Sequence, residues 1–285
     1  MAVIISAQPR GASTALAAEL LAAQPFIHRQ GRLDVRIAGS EAEIAAAQAL
    51  RYRIFYGEMG AKPTPEMERL QRDIDAYDPV CDHLLVIDHG ADGSPQVVGT
   101  YRLLRQVVAE QHNGFYSAGE YDLGPLIETA RQGGQLLELG RSCVSPAYRN
   151  SATISLLWRG IASYLHAHSI GYLFGCGSLP GTDPEAHAVL LSYLAHHHMA
   201  PSHLRARALP EHYVPMDRIA RGAYDPRAAA RALPPLLKGY LRVGAMVGDG
   251  AFVDRQFNTV DVFVVMPVAA ITRRYLERFV SNDPA

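Results

Sequence analysis

Leu136-Leu137-Glu138-Leu139-Gly140-Arg141-Ser142-Cys143-Val144-Ser145-Pro146 reads as most of a strand that begins at Gln135 and is ended by Pro146. A strand sends alternate residues to opposite faces, so Glu138 and Arg141 part company if it is regular. A bulge near Gly140 turns both toward one cleft. A carboxylate beside a cleft can serve as general base for an attacking amine, directly or through water. Glu138 and Arg141 can equally be an ion pair at a strand edge, with no chemistry attached.

Working outward, Ile154, Leu157, Ile161 and Leu165 follow at helical spacing, and Gly171 stops that helix. Tyr172–Ser178 is the next buried strand, which completes a strand–helix–strand crossover. Upstream, two strand-like runs, His83–Asp88 and Gln96–Leu104, flank a turn-rich segment at 90–94. Leu33–Ile37 alternates as a half-buried strand. Ser40 with Glu43 has the spacing of a capping box, and Ile44, Ala47, Leu50 and Ile54 continue at helical spacing. A short helix is expected near Leu123–Arg131, and another runs from a cap at Asp183 to about His198. Past these the pattern predicts a basic helix ending near Arg242, one long strand over Phe252–Met266, and a helix over Ala269–Val280. Hairpins and one crossover together imply a mixed α/β sheet. The Ala-rich residues 1–31 read as a flexible N-terminal extension, and 32–285 as one domain.

The 285 residues are 48% hydrophobic with a formal net charge of −1, so no global field attracts nucleic acid. Charge is uneven: His203 to Arg242 holds eight Arg or Lys against three Asp or Glu, a local basic patch. The three cysteines lack paired spacing and suit a reducing compartment. No apolar run reaches the ~20 residues of a membrane span, and the N-terminus has no basic leader pattern. A cytoplasmic protein is expected; the basic amphipathic helix 269–280 either packs on the sheet or makes a peripheral contact at the inner membrane. His196-His197-His198 point in different directions on a helix and cannot converge on one ion, so no metal is expected. Asp73, Asp75, Asp78 and Asp82 are either solvated loop carboxylates or partners for a substrate ammonium. Arg51 and Arg102 are suited to a substrate carboxylate, or to pairing with Asp75 and Asp78.

Arg51 with Phe55, Asp75 with Asp78, Arg102, and Glu138 with Arg141 form an ordered series. It resembles the polar signature of acyl-homoserine lactone synthases, which have a GNAT-like fold and use acyl-carrier-protein thioesters. The surrounding sequence is more similar to a sister family, the L-ornithine N-alpha-acyltransferases. That similarity lies in Arg51–Gly60, Phe115–Leu123, Leu137–Ser142 and Phe174–Thr182. The resemblance implies an α/β, GNAT-like acyltransferase fold, a central mixed sheet flanked by helices. It implies transfer of a (3-hydroxy)fatty acyl group from acyl carrier protein to the α-amine of L-ornithine, giving lyso-ornithine lipid. Glu138 and Arg141 would then be catalytic; Arg51, Phe55, Asp75, Asp78 and Arg102 would bind substrate; Cys143, Val144 and Arg149 would meet the acyl–pantetheine arm. No cofactor beyond that phosphopantetheine thioester is implied.

Two departures sharpen the expectation. The lactone synthases usually carry a Trp a few residues past the Phe of the first motif, where Ala61 stands here. CoA-using GNAT enzymes follow this strand with an R-x-x-G-x-G/A loop whose amides bind pyrophosphate. Arg149 is instead followed by Asn150-Ser151-Ala152-Thr153-Ile154, without glycine. A carrier's single phosphate makes the smaller demand, and Arg205, Arg207, Arg218, Arg221, Arg227 and Arg231 are the expected docking surface for that acidic carrier. The alternatives are an acyl-homoserine lactone synthase using S-adenosylmethionine, or a non-catalytic GNAT-like module that binds acyl carrier protein or membrane.

Overall fold

The computed structural model describes residues 26–91 and 93–271. Its strands are β1 (His28–Gln30), β2 (Leu33–Ile37), β3 (Asp82–Asp88), β4 (Gln96–Arg105), β5 (Tyr121–Asp122), β6 (Gln135–Val144), β7 (Ile170–Pro180), β8 (Arg207–Ala208), β9 (Met246–Asp254) and β10 (Thr259–Pro267). They lie side by side in the order β1-β2-β3-β4-β6-β7-β10-β9-β8-β5. β6 with β7 and β8 with β9 are parallel, and the other neighbours are antiparallel. The helices are α1 (Glu41–Tyr52), α2 (Pro65–Leu70), α3 (Gln106–Ala109), α4 (Gly124–Gly133), α5 (Ser151–Ala167), α6 (Ala188–His198), α7 (Pro226–Ala232) and α8 (Pro235–Arg242). This is the mixed sheet flanked by helices expected of a GNAT-like fold.

Period-two alternation divides the core between the two faces of the sheet. Leu84, Val86, Leu103, Leu137 and Leu173 face α5, α6 and α8. Leu85 and Ile87 meet α1, while Leu104, Leu136 and Phe174 meet α4 and the Phe115–Leu123 segment. α1 starts where Ser40 Oγ accepts the Glu43 N–H, but Glu43 reaches back to the Gly39 N–H at 2.7 Å rather than to that of Ser40. α5 is capped by Asn150, whose Oδ1 accepts from Thr153 N at 3.1 Å.

Three expectations are corrected. Phe252–Met266 is not one strand: it spans the end of β9, a hairpin turn and β10. Asp254 Oδ1 accepts the N–H groups of Gln256 and Phe257, both at 2.8 Å, and Asn258 takes φ +56°, which closes the turn. The basic helix is two, α7 and α8, because Pro234 cannot continue the first. The sheet begins inside the stretch expected to be an extension, since His28 pairs with Val35; residues 1–25 lie outside those described. Of the helix expected over Ala269–Val280, the described part is a 3-10 turn at Val268–Ala270, and residues 272–280 lie outside the described range. Among the described residues, no helix is long and apolar enough to cross a membrane.

Two irregularities of β6 position the site. Arg102 pairs with Gly140 and Thr100 with Cys143, so Arg141 and Ser142 together stand opposite Tyr101. That is a bulge one residue past the expected place, and Arg141 takes φ +49° to make it. The parallel pairing of β6 with β7 ends at Glu138 opposite Phe174. From there β6 continues on β4 and β7 continues on β10, and the sheet forks.

Candidate active site

Three arginines and three aspartates interlock beside the fork. Arg51, from α1, is fully buried and spends its guanidinium on Asp73 (Nε–Oδ2 2.7 Å), the Asp73 carbonyl (2.6 Å) and both oxygens of Asp78 (2.8 and 2.9 Å). Arg102 of β4 bonds Asp75 at 2.6 Å and Asp78 at 3.3 Å. Arg141 of β6 bonds Asp73 at 3.2 Å and Asp75 at 3.0 Å. Tyr56 and Gln48 donate to Asp73 and Asp78. Burial opposes ionisation of Asp78, but Arg51 and Arg102 outweigh it and hold the carboxyl far below its ordinary value. Asp75 is also lowered, against burial, by Arg102 and Arg141. Of the two readings of Arg51 and Arg102, pairing with aspartates is therefore the one realised; neither guanidinium is open to a substrate carboxylate.

Arg141 is the most open of the three, and its guanidinium lies 4.4 Å from the Phe257 ring centroid and 4.9 Å from that of Tyr116. Phe55 lies in the core under α1, edge-on to Phe257 at 5.7 Å. It shapes the wall through Phe257.

Glu138 makes no ion pair with Arg141, contrary to the strand-edge reading. Its Oε2 accepts from Tyr116 N at 2.8 Å; its Oε1 accepts from Ser117 N at 2.8 Å and from Ser117 Oγ. Burial pushes the carboxyl above its ordinary value, and the Ser117 and Tyr116 donors, with the Arg102 charge, only partly offset this. Two donors converge on Oε1 and one on Oε2, so Oε2 keeps a lone pair for a proton.

A second polar line leaves Glu138 across the sheet. Ser117 Oγ lies 3.7 Å from Cys176 Sγ, which donates to Glu120 Oε2 at 3.3 Å. Burial, then the Asp261 charge, push Glu120 up to about 8, and burial pushes Asp261 up to about 6.

Leu139 of β6 and Leu173–Cys176 of β7 line a pocket at the fork, closed by Tyr240 and Met266. The Cys143 side chain packs under α1 and that of Val144 against the α5 face, so only their backbone can meet a ligand in the fork. Arg149 bonds the Val144 carbonyl at 3.1 Å and forms a two-point pair with Glu58 at 2.6 and 2.7 Å. Among the described residues, no group of His, Cys, Asp or Glu is arranged to hold a metal. His196 bonds Tyr224 and Asp217, whereas His198 bonds Tyr193.

Sequence reasoning assigned no site role to Tyr116, Ser117, Glu120, Cys176, Phe257 or Asp261. For Tyr116, Ser117 and Glu120 the signal was present in Phe115–Leu123, whose similarity to the family was noted without assigning its residues a role.

Comparison with known proteins covers most of the chain. A family model described as an acetyltransferase (GNAT) domain matches residues 50–159. The L-ornithine N(alpha)-acyltransferase of Rhizobium meliloti strain 1021 is 50% identical over 259 residues, 90% of this chain and 87% of that protein. That of Agrobacterium fabrum strain C58 is 50% identical over 253 residues, 88% of this chain and 86% of its own. A solved CoA-dependent acyl-homoserine lactone synthase, with SAM and isopentyl-CoA bound, aligns at 14% identity and TM-score 0.46, covering 85% of this chain and 82% of that one.

Proposed function

The chain belongs to the family of L-ornithine N(alpha)-acyltransferases, and from that membership we propose that it passes a 3-hydroxy fatty acyl group from the phosphopantetheine thioester of acyl carrier protein to the α-amine of L-ornithine, giving lyso-ornithine lipid. It is an N-acyltransferase with a GNAT domain. The observation that carries the mechanism is the place of Glu138, the last residue of β6 paired to β7, at the point where the strands part.

A thioester reaching into the fork sets its carbonyl beside the free edge of β6 and its acyl chain against Leu139 and Leu173. The α-ammonium of ornithine gives a proton to Glu138 Oε2, directly or through one water, and the amine attacks the carbonyl carbon. A main-chain N–H near Cys143 or Val144 on the unpaired edge steadies the oxyanion. The carbon–sulfur bond then breaks as the nitrogen sheds its second proton, and the departing pantetheine thiolate takes that proton up as a thiol. Arg141, held by Asp73 and Asp75 and flanked by Tyr116 and Phe257, is the cation nearest the open cleft for the acceptor's carboxylate.

Carrier protein as donor is supported by the start of α5. Asn150 Oδ1 consumes one N-terminal amide there, the first-turn N–H groups of Ser151 and Ala152 have no intrahelical acceptor, and Ile154 is exposed. Two amides suit one phosphate better than a diphosphate. Beyond its bond to the Val144 carbonyl, Arg149 is held by Glu58 in a half-exposed pair, which is worth about 0–1 kcal/mol and can yield to a phosphate. Of the basic stretch, Arg207 pairs with Asp249 and Arg218 with Glu185. Arg221, Arg227 and Arg231 are exposed and make the better docking surface for an acidic carrier.

The test offers purified enzyme matched acyl-carrier and acyl-CoA donors, with ornithine, lysine or S-adenosylmethionine as acceptor and mass detection of products. Acyl-ornithine formed at higher kcat/KM from the carrier is expected. Equal efficiency with CoA would overturn the donor, and a lactone product from S-adenosylmethionine would favour the synthase reading. Reversing Arg221, Arg227 and Arg231 to Glu should raise KM for the carrier about tenfold, an effect that high salt mimics.

A further inference from the structure

The acids expected to hold the acceptor's side-chain ammonium, Asp73, Asp75 and Asp78, each have an arginine already. Glu120 and Asp261 do not. Among the described residues no ion pair reaches either one, although they are only 7% and 6% exposed. Glu120 receives the Cys176 thiol, a weak donor, and Asp261 Oδ1 has no hydrogen-bond partner at all. A buried carboxylate oxygen left without a donor is costly and is rarely tolerated without a reason.

Strand register brings these groups to one face. Glu138 pairs with Phe174, Cys176 with Phe263 and Ser178 with Asp261, so Glu138, Cys176 and Asp261 project from three neighbouring strands to the same side. The Phe115–Leu123 segment covers that side and lowers Glu120 onto it. Tyr121, the next residue, fastens the cover by donating its hydroxyl to the Asp261 carbonyl at 3.0 Å. One continuous polar line thus runs from Glu138 through Ser117 and Cys176 to Glu120, with Asp261 beyond.

We propose that Glu120 and Asp261 form the subsite for the acceptor's side-chain ammonium, a primary amine at the end of a short alkyl chain, and so select a diamino acid over its neutral analogue. This rests on ornithine being the acceptor. Two acids with no cation paired to either make a site that a single incoming ammonium completes, while Glu138 at the other end of the line meets the α-amine. The groups facing Glu120 are Cys176, Asp261, Asp254 and Glu138, and those acting on Asp261 are the Ser178 and Thr259 hydroxyls, Asp254 and the Arg141 charge. With that surrounding, arrival of the ammonium displaces a proton from the pair into solvent.

The test compares L-ornithine with L-norvaline, which lacks only the side-chain amine, in the wild type, Glu120→Gln and Asp261→Asn. The wild type is expected to prefer ornithine in kcat/KM by at least about a hundredfold, and each variant to shrink that preference about tenfold or more, chiefly through KM for ornithine. Calorimetry of the wild type in buffers of different ionisation heat adds a readout that needs no variant to fold. Proton release on binding ornithine but not norvaline is expected. A preference unchanged in both variants, or ornithine binding without proton release, would overturn the subsite. A wild type that acylates norvaline as well as ornithine overturns the subsite alone; one that acylates neither overturns the acceptor itself.

Discussion

The Glu138 carboxyl and the hydrogen-bond donors around it are one unit. Ser117 and Tyr116 stabilise the charged form of Glu138 against the burial that raises it. Removing the Ser117 hydroxyl deletes a bond to the charged form, so the Glu138 pKa rises further and less base is ionised at a given pH. Ser117→Ala is therefore expected to move the acid limb of the kcat profile to higher pH, with the plateau largely regained in alkali; an unmoved limb would count against Glu138 as base. Glu138→Gln loses proton acceptance outright, and turnover should fall roughly 100- to 10,000-fold. It is not structurally neutral: an amide oxygen facing Ser117 puts the amide NH₂ against the Tyr116 N–H. A stability loss of about 1–3 kcal/mol should accompany it, read by denaturant unfolding. Arg51 is the opposite kind of residue, structural for all its charge. Asp78→Ala leaves its buried guanidinium without its two-point partner, and about 3–5 kcal/mol of stability should go with it; a loss under 1 kcal/mol would contradict that.

Among the elements, the fork between β6 and β7 matters most, and Gly175 sets its closeness. A Cβ on Gly175 would lie 2.3 Å from the Leu139 carbonyl oxygen, a backbone atom that no rotamer can move aside. Gly175→Ala must push the strands apart where the fork begins. The expected result is about 1–3 kcal/mol of destabilisation and a higher KM for the acyl donor, because Leu139 and Gly175 both line the pocket. Unaltered donor kinetics in a folded Gly175→Ala enzyme would remove the fork from the acyl path. The bulge plays the complementary part on the other edge of β6. By standing Arg141 and Ser142 against one residue of β4, it turns the Arg141 guanidinium toward the aspartates and Tyr116, at the cost of a left-handed backbone on a non-glycine residue.

For the whole molecule, the two polar clusters pull stability in opposite directions with pH. Asp75 and Asp78 sit below their ordinary 3.8, so their contribution is present above that value and is lost as pH falls through the folded values. Glu120 is raised from 4.5 to about 8 by burial first and by Asp261, Asp254 and Glu138 next. Its contribution is complete below 4.5 and drains away as pH rises to about 8, and Asp261, raised from 3.8 to about 6, acts in the same sense. Calorimetric Tm should peak in mildly acidic solution and decline toward both sides. Glu120→Gln should flatten the alkaline decline; a wild-type Tm level from pH 5 to pH 8 would show that these acids titrate normally.

The sequence by itself determined the elements whose signal is local. Alternation in Leu33–Ile37, the run from Gln135 to Val144 and helical spacing after Asn150 fix period and burial with no knowledge of neighbours, and the order of charged residues carried the family. Its failures are of one kind. Phe252–Met266 looked continuous because both arms of the hairpin are largely apolar, and the turn is made by the Asp254 side chain and the left-handed backbone of Asn258. Glu138 and Arg141 are neighbours in sequence yet bond to different partners, because the bulge aims Arg141 at a loop some seventy residues upstream while Glu138 turns to Ser117. Which carboxylates are spoken for and which are left without a cation is a property of where charges meet in space. Tertiary packing alone gave Asp73, Asp75 and Asp78 their arginines and left Glu120 and Asp261 buried without one.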